Sequence, residues 1–348
     1  MQFYTLLTTL ALVKSGIAGY AIQDDYGASD FFGMFDFFTD SDPTHGYVEY
    51  VDQGTAQSSG LINSSSNSIY IGVDSTNTAG SNGRNSVRLT STASYNDGLV
   101  ILDLAHMPGS VCGTWPAFWL VGPNWPNNGE IDIIEGVNSQ QSNAMTLHTG
   151  PGCSISSSGD FSGSVSTTNC DVNAAGQAQN AGCSIDTNDD STYGDGFNNA
   201  NGGVYATEWT SDSISIYHWP RSQIPSDITS GSPDPSGWGT PLAQFSGSCD
   251  ISSAFKDMQI VFDLTFCGDW AGNVWSSDST CSSKADTCQD YVQNNPSAFT
   301  DSYWEINSLK VYQSGGSYVE SQAEASPASS KQALPATTLQ TSAKVAPS

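Results

Sequence analysis

The stretch Asn128-Gly129-Glu130-Ile131-Asp132-Ile133-Ile134-Glu135-Gly136 sets three carboxylates among isoleucines, near a glycine at each end. β-Branched residues bounded by Gly and Asn read as a strand. Strand side chains alternate faces, so Glu130 and Asp132 share one face while Ile131 and Ile133 take the other. Glu135 comes five positions after Glu130, an odd step that a regular strand would turn to the opposite side. One extra residue in a β-bulge, with Ile134 as the spare, returns it to the acidic face. The bland alternative is an edge strand with a solvated acidic face. Trp115, Trp119 and Trp125 just upstream argue against it, because rings beside carboxylates suit a sugar cleft. Two inward-leaning glutamates in such a row could approach the ~5–5.5 Å of a retaining glycosidase pair.

Period-2 alternation recurs along the chain. In Gln259–Phe266, Ile260, Phe262, Leu264 and Phe266 face one way, and Val261, Asp263 and Thr265 the other. In Thr114–Val121, Trp115, Ala117 and Trp119 share a face, and one of the two tryptophans is expected only to pack. Trp125, in a Pro/Asn-rich loop, is the better sugar platform. The loop Cys267–Asn273 offers Trp270 and Asn273 as further candidates for binding. Short strand signals lie at Tyr47–Val51, Ser68–Val73, Ser86–Leu89 and Leu99–Leu104, with a hairpin over 204–219 around Ser211-Asp212 and a closing strand within 302–313. Residues 19–46 read as an aromatic arm across the sandwich. Residues 151–203 and 221–248 lack a hydrophobic period and read as loops. An EF-hand-like run at 186–197 has Ser191 and Phe197 where Gly and Glu are required, which disfavours calcium. On residues alone, Arg88 is a surface arginine and His148 a structural histidine on a polar strand face.

Asp and Glu number 35 against 9 Lys and Arg, a net charge of −26 over 348 residues. Such a chain repels nucleic acid and anionic membranes, and a neutral polysaccharide fits it better than a sulfated one. Residues 1–18 read as a secretory signal, with a short apolar segment and cleavage before Gly19. All eight cysteines follow it and are expected to pair, with Cys281 and Cys288 pinning a polar loop. Asn63-Ser64-Ser65 is an N-glycosylation sequon. From residue 314 the Ser/Ala/Thr/Pro-rich composition reads as a disordered tail. A secreted, monomeric protein that needs neither metal nor organic cofactor is expected.

The run "GTWPAFWLVGPNWPNNGEIDIIEGVN" (113–138) resembles the active-site segment of family 16 glycoside hydrolases, in particular secreted fungal laminarinase-type endo-1,3(4)-β-glucanases. Residues 31–51, 145–150, 205–217, 266–275 and 302–313 extend the resemblance in the family's order. It implies an all-β fold over residues 19–313, a two-sheet antiparallel β-sandwich of jelly-roll, concanavalin A-like type with an open concave cleft. It also implies retaining hydrolysis of β-glucans, with Glu130 as nucleophile and Glu135 as acid/base, and it moves Arg88 and His148 into the cleft. Asp132, between the glutamates, is expected to orient Glu130. Crowding of the three acids should keep Glu135 protonated while Glu130 is ionised. A transglycosylase on the same site and a non-catalytic glucan-binding lectin are the rival readings.

Overall fold

The computed structural model describes residues 19–315, so the expected signal segment and nearly all of the expected tail lie outside the described residues. Two eight-stranded antiparallel sheets pack face to face. The first runs in the order Ser164–Thr167, Cys183–Asp186, Ala144–His148, Glu130–Glu135, Thr114–Val121, Gln259–Phe266, Leu89–Ser91, Phe35–Phe37. The second runs Ala243–Phe245, Ile214–Pro220, Gly203–Trp209, Gly98–His106, Tyr303–Ser314, Ser68–Gly72, Ile62–Ser65, with Tyr20–Asp25 also paired to Tyr303–Ser314. Alternation does the folding work here. Phe118, Leu120, Ile131, Ile260 and Phe262 from the first sheet meet Ile69, Ile71, Leu102, Trp304 and Ile306 from the second in one buried core. That shared apolar layer is what holds two sheets face to face.

Several expectations need correction. The 19–46 segment is not an arm lying across the sandwich but part of both sheets: it places the edge strand Phe35–Phe37 in the first and Tyr20–Asp25 in the second. The 151–203 stretch is not only loop, since Ser164–Thr167 and Cys183–Asp186 complete the first sheet beside Ala144–His148. Its Gly/Ser-rich composition hides strands that the disulfide Cys170–Cys183 and sheet pairing, not a hydrophobic period, hold in place. Likewise 221–248 contributes the edge strand Ala243–Phe245. In the disfavoured calcium run Phe197 is buried in the core, on a short helix Gly194–Asn199. All eight cysteines pair, as Cys112–Cys281, Cys153–Cys249, Cys170–Cys183 and Cys267–Cys288. Cys281 and Cys288, at either end of the polar loop, tie the short helices Ser279–Ser282 and Cys288–Asn294 beside the start of strand Thr114–Val121 and the end of strand Gln259–Phe266.

Arg84 is fully buried and bonds to no carboxylate. Its guanidinium donates to the carbonyls of Asp74, Asn77, Val292 and Gln293 and lies over the Phe299 ring. One cation therefore ties the loop around Asp74–Asn77 to the helix Cys288–Asn294, distant in sequence. Arg84→Met is expected to leave those buried acceptors without donors and to lower stability by roughly 2–5 kcal/mol, read as a drop in the urea midpoint.

Candidate active site

Glu130, Asp132 and Glu135 stand on the face of the first sheet turned away from the core. Glu130 opposes Val121 and Asp132 opposes Trp119, after which the register skips to Ile134 opposite Phe118 and Glu135 opposite Ala117. The bulged residue is therefore Ile133, not Ile134. Ile131, Ile133 and Ile134 are all buried in the core. The strand is also no edge: it is paired on both sides.

Asn143 explains where the bulge falls. Strand Ala144–His148 pairs with the acidic strand only from Glu130 to Asp132. Beyond that point the backbone needs other partners. Asn143, 1% exposed, accepts from the Glu135 N–H at 2.8 Å and donates to the Ile133 carbonyl at 2.7 Å. At the strand's other end, Gly129 has φ +80° and a β-carbon there would strike the Phe255 ring and the Ala254 carbonyl, so glycine is required.

The surrounding side chains converge on the acids. Trp115 Nε1 donates to Glu135 Oε1 at 2.8 Å, and its ring meets Trp270 edge-on with centroids 5.7 Å apart. His148 Nε2 lies 3.2 Å from Asp132 Oδ2 and 3.8 Å from Glu130 Oε1. Arg88 spans the Phe38 and Trp119 rings and reaches 3.8 Å from Asp263 Oδ2. Arg88 and His148 thus lie beside the acids, Trp115 bonds to one of them, and Trp119 packs its ring against Arg88. Trp125 is 44% exposed on the loop before the strand. Asn273 is exposed and donates to the Asp269 carbonyl at 2.6 Å within its own loop.

Asp263, Tyr50 and Asn143 were missed as site residues. Asp263 opposes Ala117 from one side as Glu135 does from the other, so a single methyl-bearing position separates the two acids across the sheet. Tyr50 Oη donates to Asp263 at 3.3 Å. Alternation had put Asp263 on a polar face, but only pairing across the sheet reveals its neighbours. Arg88 Nε, Trp119 Nε1, Asp132 Oδ2 and His148 Nδ1 are buried without a protein hydrogen bond. Such atoms are rare in folded proteins away from functional sites.

Burial sets the electrostatics. It pushes Glu130 up to about 8, with Asp132 adding to the rise and His148 opposing it. It pushes Glu135 up to about 8 as well, again with Asp132 adding, while the Trp115 hydrogen bond pulls back. Asp132 is held well above the carboxylate range by burial and by Asp263. Asp263 itself is raised to about 6, with Arg88 restraining it. The expected split between a protonated Glu135 and an ionised Glu130 is therefore not written in these environments, which lift both alike; the acids titrate as one coupled row. Among the described residues, Glu130, Asp132 and His148 each bring one ligand atom within 4.8 Å of the others and are the group that could hold a cation.

A β-sandwich bearing this row of acids and rings on one outer face belongs to the class of β-sandwich glycoside hydrolases. Residues 35–312 match the family described as XgeA-like, catalytic GH16 domain, and the chain belongs to that family. It is 52% identical over 317 residues to an endo-1,3(4)-β-glucanase of Arthroderma benhamiae, covering 90% of this chain and 69% of the relative. Endo-1,3(4)-β-glucanase xgeA of Emericella nidulans is 43% identical, over 89% of this chain and 50% of its own length. Among solved structures, laminarinase 16A of Phanerochaete chrysosporium, holding 6-O-glucosyl-laminaritriose in donor and acceptor sites, is 43% identical with a TM-score of 0.80, covering 85% of this chain and 100% of that one. An elongating GH family 16 β-1,3-glucosyltransferase is 48% identical with a TM-score of 0.79, covering 84% and 100%.

Asn143→Ala should release the bulge. The expected result is a fall in kcat of about 10²-fold from misplacing Glu135, with KM little changed. A rise in KM with kcat unchanged would instead assign Asn143 to binding. Glu135→Gln tests the burial of the acid. A folded-state value near 8 against an ordinary 4.5 means the folded protein holds a proton that the unfolded chain releases. Stability is then lost as pH rises through that window. Melting scans should show the variant and parent together at pH 4 and the variant above the parent at pH 8.

Proposed function

We propose that the chain is an extracellular, endo-acting, retaining hydrolase of neutral β-1,3 and mixed-linkage β-1,3/1,4 glucans. The observation that carries this reading is the bulged row of Glu130, Asp132 and Glu135 facing outward between Trp115, Trp119 and His148. Glu130 attacks the anomeric carbon while Glu135 protonates the leaving oxygen, and Glu135 then deprotonates the water that frees the glycosyl-enzyme. Trp115 occupies Glu135 Oε1, which leaves the other oxygen for the transferred proton. Asp132 beside Glu130 orients it, and His148 favours its ionised form. Trp125 and Trp270 offer ring faces to the glucan, and the family relatives named above act on such polymers by name. Four disulfides support export to an oxidising compartment.

Transglycosylation is the second reading, favoured by the 48% identity to an elongating β-1,3-glucosyltransferase. It uses the same intermediate with a sugar acceptor in place of water.

Laminarin, lichenan and cellulose digested in parallel should give rapid viscosity loss and short oligosaccharides from the first two. Products longer than the starting oligosaccharide would instead establish transfer. The two glutamates are separated by azide with an activated aryl β-glucoside. Glu135→Ala should give the β-glycosyl azide and Glu130→Ala the α-anomer; the reverse pattern exchanges the roles.

A further inference from the structure

A groove of about 850 Å³ lies on the outer face of the second sheet, on the opposite side of the sandwich from the acid row. Its floor is set by pairing. Asn63 opposes Tyr70, Tyr70 opposes Glu305, and Glu305 opposes His106, so these side chains form one row on the solvent face. Tyr303, two residues before Glu305, joins the same face. The Tyr70 and Tyr303 rings lie with centroids 5.1 Å apart, and Tyr303 stacks on His106 at 3.8 Å with an interplanar angle of 3°. Gly72 keeps the strand clear under the Tyr70 ring, which a β-carbon there would strike. Gln53 and Gln57 line the groove, and Glu305 is the charged group in its lining. Half-buried rings edged by amides and hydroxyls, with no lysine or arginine, suit a neutral sugar.

The occupant is indicated by the chain itself. Asn63 lines the groove, is exposed, and begins the sequon Asn63-Ser64-Ser65. We propose that the groove is the seat of an N-linked glycan carried on Asn63, whose first sugars lie against the Tyr70 and Tyr303 rings. This rests on the extracellular reading above. In the secretory pathway the Asn63 side-chain nitrogen attacks the anomeric carbon of a lipid-diphosphate oligosaccharide. The C–O bond to the diphosphate breaks, the C–N bond forms, and the amide loses one proton. The seated glycan would then bridge the edge strand Ile62–Ser65 to Tyr303–Ser314 without approaching the acid row.

The full chain, expressed in a filamentous fungus and recovered from the medium, is to be analysed by glycopeptide mass spectrometry and by endoglycosidase release without denaturation. Asn63 should be glycosylated, and release should be several-fold faster in Tyr70→Ala and Tyr303→Ala than in the parent or in Tyr70→Phe, which keeps the ring. Asn63→Gln should melt lower with unchanged turnover on laminarin. An unmodified Asn63 in the secreted protein overturns the proposal. So does release at the same rate in the parent and the ring-deleted variants, which would place the glycan in open solvent. If the full chain stays inside the cell, the extracellular reading fails by itself, and a host leader fused before Gly19 still delivers the chain for the same release comparison.

Discussion

Ile133 is an extra residue relative to the neighbouring strand Thr114–Val121, which pairs on both sides of it, and the site depends on how that excess is absorbed. A bulge leaves backbone groups without ladder partners, and an unpaired buried amide or carbonyl costs about 1–3 kcal/mol. Asn143 meets both, so the defect becomes a fixed feature. With the bulge in place, Glu135 leaves the side it would occupy in a regular strand and joins Glu130 and Asp132 on the outer face. Without it the isoleucines and the acids would compete for the same two faces.

The row so formed is electrostatically unfavourable to ionise. Burial raises all three carboxyls on the strand, and Asp132 adds to the rise of both glutamates while Asp263 across the sheet adds to that of Asp132. The site contains its own restraints. Arg88 is held between two rings and faces Asp263, His148 sits within ion-pair distance of Glu130 and Asp132, and Trp115 donates to Glu135. A row that is reluctant to lose its protons is suited to an enzyme that must lend one to a leaving group.

Stability for such a site has to come from elsewhere in the fold. The shared core between the sheets provides most of it, and the disulfides act where hydrophobic pattern is weakest. Cys112–Cys281 and Cys267–Cys288 anchor the polar 279–294 region, while Cys153–Cys249 and Cys170–Cys183 brace the Gly/Ser-rich stretch that forms the far edge of the catalytic sheet. Arg84 joins the 279–294 region to the loop after Gly72, by donating to four carbonyls at once.

The amino-acid sequence by itself determined the class of fold and the outward acids. Alternation in Gln259–Phe266 and Thr114–Val121 is a local property of two faces, and an odd spacing between Glu130 and Glu135 demands a bulge if both face one way. The family resemblance, carried by contiguous motifs, added the jelly roll and the separate roles expected of the two glutamates. Strands in 151–203 and 221–248 stayed hidden because they are only three or four residues long, and pairing with a neighbour, not their own periodicity, makes them strands. Which isoleucine bulges, which cysteines meet, and that Asn143, Asp263 and Tyr50 belong to the site were decided only by the tertiary structure. Each depends on a contact between segments far apart in the chain or on a register between strands. Local spacing has no information about either.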